Sequence, residues 1–529
     1  MYRRNRVGQL RWSIVRTILA HPLRALRHLR APRPRRFSVA APRGVPPAGH
    51  TRRTWTNHVG NQVAQPLQFF TPTTLLDLQQ IVLEAKRMHR RVRAAGSGHS
   101  FSDVALTTDF LIDPHCLDRV LKLDTSVLRS GVDADGSHLV HVENGIRLRK
   151  LNAALDEMEL GLVNMGSYDA QTIIGAISTS THGSGATLGP LPDAVASIEI
   201  IDEEGRLKRV EPRDGITDPV KFSRVHPDRA LVQDDAVFDS CVVAMGCIGI
   251  VYSVILRVTK RYYLTETRRK GTWSSVRKEI SLGGRLLTEN RHVDIDLNPH
   301  PIHGEFTCIV GTRNIVPTSS KVTSRGLLYN IIPNLPWISE IFAWLFNTFY
   351  DLTPEILDSS LGTLLERPFT NVSYKVLNLG AANNISAYSS EIAFPMDNDR
   401  HVSAIDAILE VIKECREEGD LYVTVPLGIR FVSESRHYLS MMNGRPTCTV
   451  EIPCVTGTHG GMEILRRIEE RVCNDTYEGR PHWGQVHTAN RQTVERLFPR
   501  TFAAWLANYR VMNSTGMFSN AFTNRLALD

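Results

Sequence analysis

Four segments in which glycine is interleaved with small or hydroxyl-bearing residues recur along the chain, spread over nearly 400 residues. They are "AAGSGHSFSDVALTTD" after the strand-like run "RVR", "NMGSYDAQTIIGAISTSTHGSGATLG" (Asn164 to Gly189), "AMGCIGIVYSVILRV" (Ala244 to Val258) and "GRPHWGQVHT" (Gly479 to Thr488). Glycine lets backbone amides approach a ligand closely, and consecutive amides in tight turns form a cradle for anions. Small Ser and Thr between the glycines leave room for a flat, extended ligand and supply hydrogen bonds to it. Any one of these segments alone reads as a turn. Together, with three of them following strands, they point to a cofactor that contains a diphosphate. None is GxGxxG opening a helix, GxxxxGK[ST] or GxSxG, so a Rossmann site, a P-loop and a nucleophile elbow are all excluded.

At 529 residues the chain exceeds what one hydrophobic core covers, so two or more domains are expected. Around the glycine segments the pattern alternates between strand and helix. "TPTTLLDLQQIVLEAKRM" predicts a helix capped by Thr73 or Thr74, with Leu75, Leu78, Ile81, Val82 and Ala85 on one face. Strands are predicted in "DFLID", "HLVHVENG", "SIEIIDEEGRLKRV" and "CIGIVYSVILRVTK", with a helix in "RLRKLNAALDEMEL". The fold class is α+β, and no repeat is visible. After about Tyr262 the character changes. "LLYNIIPNLPWISEIFAWLFNTFYDLTPEIL" reads either as a buried helix pair or as an exposed patch for a membrane or a partner. Beyond it, "VPLGIRFV" and "PTCTVEIPCVTG" predict strands and "HGGMEILRRIEERVC" a helix.

Charge is distributed unevenly. The formal net charge is +7, yet fourteen arginines and no lysine precede the first acidic residue, Asp77. The positive charge belongs to an N-terminal arm, so a nucleic-acid groove across the folded body is not indicated. Within the arm, Leu10, Ile14, Ile18 and Val15, Leu19 recur at helical spacing before Pro22. An organelle (mitochondrial) transit peptide, a helix lying on an anionic membrane and a disordered basic tail all fit. No run is apolar enough to span a bilayer. The eight cysteines show no CxxC pairing and read as reduced thiols, which suits an intracellular, reducing compartment.

From "AAGSGHSFSDVALTTD", "NMGSYDAQTIIGAISTSTHGSG", "GCIGIVYSVILRV" and "RPHWGQVHT", the chain resembles the FAD-linked oxidoreductases of the vanillyl-alcohol-oxidase fold. Within them it is similar to the aldonolactone and alditol oxidase branch, the L-gulonolactone oxidase-like and D-arabinono-1,4-lactone oxidase-like enzymes. The resemblance covers roughly residues 55–529. It implies a two-domain FAD-binding (PCMH-type) fold whose sheet-based substrate domain is inserted before a C-terminal return to the FAD domain. The expected divisions are a basic arm and linker at 1–54, an FAD domain at 55–262, a substrate domain at 263–483 and the returning segment at 484–529.

The resemblance implies that Ala95, Gly96, Ser97, Gly98, His99, Ser100 and Ser102 wrap the FAD diphosphate. The histidine matching His99 is often bonded covalently to the flavin, which would explain an imidazole in a glycine loop. Ser167, Gly175, Ser178, Thr181, His182, Gly183 and Ser184 match the second cofactor segment, Gly246, Ile248 and Gly249 the third, and His482 and His487 the last. Ser167 also stands where the family has a serine near the flavin and the substrate hydroxyl. The family's Glu-x-Arg pair over the flavin is here Gly428-Ile429-Arg430, and the lysine many relatives carry after "HWG" is Gln485. The arginine is kept, and a carboxylate and an ammonium are lost. Glu451, in "TVEIPCV", reads either as the replacement carboxylate or as a strand-edge surface residue.

The expected reaction is oxidation of a CH–OH group in a small-molecule alcohol, polyol or lactone. Arg430, Ser167, Gln485 and Glu451 are the catalytic candidates. The residue before the glycine of "VENGIRL" bears on oxygen access in the family, and Asn144 is larger than glycine there, which leans toward a dehydrogenase. Two alternatives stay open. One is a membrane-associated enzyme for a lipid-linked or sterol-like alcohol, docked through 1–36 or 327–357. The other is a non-catalytic FAD-holding scaffold. Asp294, Asp296 and His300 in "HVDIDLNPHP" lie on a strand expected over the flavin, with His300 a possible substrate contact. His482/His487 and His300/His303 lack an accompanying ligand set in the sequence, so no metal site is expected.

Overall fold

Two kinds of strand sequence build two large sheets. Val195–Ile201 is apolar apart from Ser197 and Glu199 and is buried along its whole length. It lies in a seven-stranded sheet with the order Ala230–Gln233, Leu207–Glu211, Val195–Ile201, Ile250–Lys260, His138–Glu143 and Val120–Leu121, and Leu160–Gly161 pairs with Ile250–Lys260 off this path. His292–Leu297 instead alternates apolar and polar residues, so Val293, Ile295 and Leu297 enter a core while Asp294 and Asp296 face the other way. It lies inside an eight-stranded antiparallel sheet. The order there is Phe369–Val372, Tyr263–Thr272, Thr307–Val316, His292–Leu297, Leu427–Val432, Thr447–Val455, Ala387–Pro395 and Arg480–Pro481. A three-stranded parallel sheet (Gln68–Phe70, Phe110–Ile112, Val92–Ala94) carries the first glycine loop at the end of Val92–Ala94. This computed structural model describes residues 49, 53–132, 138–325, 337–365, 367–380, 384–526 and 528.

Residues 46–529 form one compact unit. The basic arm, 1–36, lies outside the described residues, as do 327–336 of the apolar segment. The rest of that segment forms the helices Ile338–Thr348 and Thr353–Thr363. They bury Ile338, Leu345, Phe346, Ile356, Leu357 and Leu361 and leave Trp344 exposed, so most of the apolar character is spent on packing. The predicted helix after Thr74 is Leu75–Arg87, closed by a capping box between Thr74 and Asp77.

The helices Arg400–Gly419 and Gly461–Val472 cover the apolar face of the eight-stranded sheet with Ile405, Ile408, Ile412, Ile464 and Ile468. Its opposite face is therefore free to carry polar groups. The last helices, including Phe502–Met512, return to the core of the seven-stranded sheet through Phe502, Trp505 and Tyr509. Among the described residues no helix is long and apolar enough to cross a membrane.

Candidate active site and cofactor cleft

The first glycine loop, the second segment and the third meet in one cleft. It is lined by Gly96 and Ser100, by Thr172, Gly175, Ser178 and Thr179, and by Gly246 and Gly249, with Asn144 on the wall. The local reasons differ from loop to loop. Gly98, Gly246 and Gly249 have φ of +70°, +70° and +127°, a region that disfavours side chains. Gly96 must be small for another reason: a Cβ there would lie 2.2 Å from Thr172 Oγ1. The Thr172 backbone N–H donates to Ser97 Oγ at 3.1 Å, and Thr172 Oγ1 caps the short helix Ile173–Ser178, so the two loops are locked together.

The fourth segment joins them. Ser102 Oγ donates to the Trp483 carbonyl at 2.6 Å and the Phe101 N–H to the Gly484 carbonyl at 2.7 Å. Behind the cleft Arg93, fully buried on its strand, donates to the carbonyls of Gly246 at 2.8 Å, Met245 at 2.7 Å, Phe518 at 2.9 Å and Val104. Sequence reasoning passed over Arg93; its signal is an arginine within a short apolar strand, "VRA".

His99 stands beside this loop. Its Nδ1 is 3.0 Å from Ser97 Oγ, its Nε2 2.9 Å from the Tyr168 hydroxyl, and its ring stacks on His58 with centroids 4.7 Å apart. Burial, reinforced by His58, Arg147 and Arg149, pushes its imidazole down to about 3, so the ring is neutral at physiological pH.

On the polar face of the eight-stranded sheet, Asp296, Gly428, Glu451 and Glu391 are direct partners across four successive strands, and Asp294, Arg430 and Thr449 form the next row. Directly paired residues project to the same side with Cβ atoms about 4.5–5.5 Å apart, so these rows make one charged surface. Arg430 is its hub. Its guanidinium donates to Ser167 Oγ at 3.1 Å and lies 3.6 Å from Glu451 and 3.9 Å from Glu391. Burial opposes its charge, but Glu451, Glu391, Asp294 and Asp296 together hold its pKa above the usual value.

Ser389 Oγ links Glu451, at 3.1 Å, to the Gln485 side-chain oxygen, at 2.7 Å. Burial, and then the neighbouring Glu391, raise the Glu451 carboxyl against the pull of Arg430. Glu391 itself sits 3.1 Å from His182 Nε2. Burial alone would raise its carboxyl, but His182, His482 and Arg430 outweigh this and hold it well below the usual range. A small cavity opens onto this surface, lined by Ser167, Gly183, Ser184, Asp294, Asp296, Arg313, Gly428 and Arg430.

Glu451 thus faces the site interior rather than the strand edge. The expectation for His300 is corrected: its Nε2 is 2.9 Å from the Val423 carbonyl, its ring packs on Tyr422, and it lies in neither cavity. Ile248 and His487 are likewise not brought to either one. Ile248 joins the core of the seven-stranded sheet, and His487 packs against Trp483 and Phe522. Ala95 is buried beneath the loop, and His482 lies behind Glu391, whose carbonyl accepts its backbone N–H at 2.9 Å. Glu391 was missed by sequence reasoning. Its signal is a lone carboxylate in the otherwise apolar or small-residue run "YSSEIAFP".

The residues present fit FAD. The cleft offers glycine backbone and the hydroxyls of Ser100, Thr172, Ser178 and Thr179 beside the apolar side chains of Val104, Ile174, Ile250 and Val251, a mixture suited to a flat ring system with a polar tail. Thr181 Oγ1, buried in the second glycine segment, finds no hydrogen-bond partner among the described residues.

The comparisons agree. A model of the D-arabinono-1,4-lactone oxidase family matches residues 254–526 and a model of an FAD binding domain residues 66–211. An L-gulono-1,4-lactone dehydrogenase of Mycobacterium tuberculosis is 26% identical over 89% of this chain and 98% of its own length. An L-gulonolactone oxidase of Bos taurus is 24% identical over 87% and 95%. Among solved structures, a cholesterol oxidase from B. sterolicum superposes with a TM-score of 0.71 at 15% identity, covering 92% of this chain and all of its own, which shows the fold. The family model spans more than half of the sequence, and the chain belongs to the D-arabinono-1,4-lactone oxidase family of FAD-dependent oxidoreductases.

Proposed function

We propose that this enzyme oxidises a CH–OH group of a polyhydroxylated small molecule, a sugar lactone or an open-chain polyol, on the charged face around Arg430. The carrying observation is the Arg430–Ser167 hydrogen bond at 3.1 Å within a cavity whose other polar walls are Ser184, Asp294, Asp296 and Arg313. Although Met165, Ile295, Leu377, Leu379 and Ile429 also line the cavity, polar groups make up more of its surface and offer donors and acceptors to several hydroxyl groups. It therefore favours the lactone or polyol over a lipid-like alcohol. The lactone chemistry in the names of the M. tuberculosis and Bos taurus relatives supports the same class.

When bound, FAD supplies the hydride acceptor of the reaction. The chain's own residues do the rest. Arg430 binds the substrate oxygen and stabilises negative charge next to it. Ser167, held by that guanidinium, presents its hydroxyl to the substrate. Glu451 takes over from the missing carboxylate at 428, because its Oε2 lies 3.7 Å from where a Cβ on Gly428 would stand. A carboxylate from the neighbouring strand thus covers the position the family pattern fills from within. Gln485, joined to Glu451 through Ser389, keeps that carboxylate in place without adding a charge. The intact set around Arg430 speaks for turnover and against a scaffold role. Domain divisions at 55–262, 263–483 and 484–529 belong to the same reading, supported by the separate cores of the two large sheets, with Leu264, Phe369, Val376, Leu377, Leu439 and Trp483 of the middle segment packing into the first.

His99 is the proposed point of covalent attachment. A neutral imidazole presents a nitrogen lone pair, and Ser97 and Tyr168 hold the ring in one orientation. Yellow colour should stay in the pellet after acid precipitation and leave it in His99→Ala. Apoprotein should attach added FAD equally well at pH 5 and pH 8, since the imidazole charges only near pH 3. Colour released from wild-type protein would remove the covalent link. For the substrate, the holoenzyme is mixed anaerobically with aldono-1,4-lactones, alditols and a sterol. Bleaching of the flavin band by the first two classes alone is expected, and bleaching by the sterol alone would overturn the reading.

A further inference from the structure

Three of the four acidic residues nearest Arg430 are engaged. Asp294 bonds Arg313, Glu451 accepts from Ser389 and faces Arg430, and Glu391 is held by His182. Asp296 differs. It lines the cavity with Ser167 and Arg430, yet no side-chain hydrogen bond or ion pair to its carboxylate is formed among the described residues. The side chain is only half-buried, so the carboxylate stays open to a ligand that enters the cavity. Its position suits use. Asp296 is the cross-strand partner of Gly428, and Asp294 that of Arg430, so Asp296 and Arg430 stand diagonally across the same strand pair. Diagonal partners lie roughly 7–8 Å apart at Cα, close enough for one substrate oxygen to meet both side chains. With glycine at 428, no side chain intervenes on the strand between Asp296 and Glu451.

We propose that the Asp296 carboxylate is the acceptor of the proton released by the substrate hydroxyl. The inference rests on the substrate reading above. The O–H bond breaks and its proton passes to an Asp296 oxygen, leaving a neutral carboxyl group. The C–H bond breaks with its electron pair going to the flavin that this family's activity supplies, and the C–O bond becomes a carbonyl.

The surroundings favour the transfer. Protonation relieves the repulsion between Asp296 and Asp294 on the same strand. The cations facing Asp296 are Arg268 from Tyr263–Thr272, Arg313 from Thr307–Val316 and Arg430 from Leu427–Val432, and the facing acid across Gly428 is Glu451. Burial first, and Asp294 second, push the Asp296 carboxyl up to about 6 against those three arginines. The group is therefore a base above that pH and poised near neutrality, where proton acceptors are most effective.

The test follows flavin reduction by a lactone or alditol in anaerobic stopped flow across pH 4.5–9, in wild type, D296N, D296E and E451Q holoenzymes. Wild type should lose kcat/KM as pH falls through about 6. D296N should reduce its flavin about 10²–10⁴-fold more slowly, with that acid limb gone, KM little changed and the flavin spectrum intact. E451Q should keep the limb. D296N within threefold of wild type, or a limb near pH 6 that survives in it, overturns the inference. Should D296N not fold, D296E decides: a displaced limb supports the assignment, and a limb at the wild-type position overturns it. A wild-type flavin that no lactone or alditol reduces sinks the substrate reading together with this inference. Normal reduction in both wild type and D296N sinks this inference alone.

Discussion

In the cleft around Gly96, Thr172 and Gly246, glycine backbone and the hydroxyls of Ser100, Thr172, Ser178 and Thr179 share the walls with apolar side chains such as Val104, Ile174 and Val251, and Arg93, Ser97 and Ser102 hold the loops from behind. On the polar face of the eight-stranded sheet, the corresponding atoms belong to long charged side chains: Arg430, Glu451, Glu391, Asp294 and Asp296. The cleft works by shape, because a cofactor common to a whole family needs close approach more than discrimination. The sheet face works by charge balance, and exchanging residues there alters what is recognised without disturbing the backbone. The proposed use of Glu451 in place of a carboxylate at 428 is such an exchange.

Substitutions that add bulk to the cleft and ones that remove charge from the sheet should therefore fail in different ways. The largest effect is expected for Gly249→Ala. Its φ is +127° and its Cβ would lie 2.4 Å from Ile200 Cγ2 and 2.9 Å from the Ile201 carbonyl, so the segment must move. The purified variant should contain little flavin by absorbance and melt well below wild type. Normal flavin content would break the claim that the cleft works by shape.

Next comes Arg430→Ala. Without the guanidinium that binds the substrate oxygen, kcat/KM should fall roughly 10²–10³-fold while flavin content stays normal. Loss of flavin instead would mean that the two regions are not separable. The smallest effect sharpens the comparison. Gly428→Ala places a Cβ no closer than 3.7 Å to anything. Stability should change by less than about 0.5 kcal/mol by thermal melting, with KM raised severalfold because the new methyl group occupies the gap between Asp296 and Glu451. Gly428→Glu in a Glu451→Ala background should recover activity that Glu451→Ala alone has lost.

Much of the cleft was legible in the sequence because glycine loops are local. A tight turn needs its glycine at one place in the chain, and "AAGSGHS", "STSTHGSG" and "GCIGI" each announce one. The helix after Thr74 was legible for the same reason. Ile248 and His487 were not, since a residue next to a cofactor loop points either into the cleft or into the core, and strand and helix packing decides which. His300 lies on the expected segment, but a turn after Leu297 carries it to the Val423 carbonyl.

The sequence by itself determined the α+β class, the FAD cofactor and the presence of Gly428, Arg430 and Gln485 where the resemblance expects a carboxylate, an arginine and a lysine, because each is a property of a short stretch. It also contained the alternation in "HVDIDL" that separates Val293 and Ile295 from Asp294 and Asp296. Only the tertiary structure decided that Asp296, Gly428, Glu451 and Glu391, separated by up to 155 positions, stand in one row. Register between strands distant in sequence is set by the packing of their apolar faces under the covering helices. No window of the chain encodes which side chains then meet on the other side.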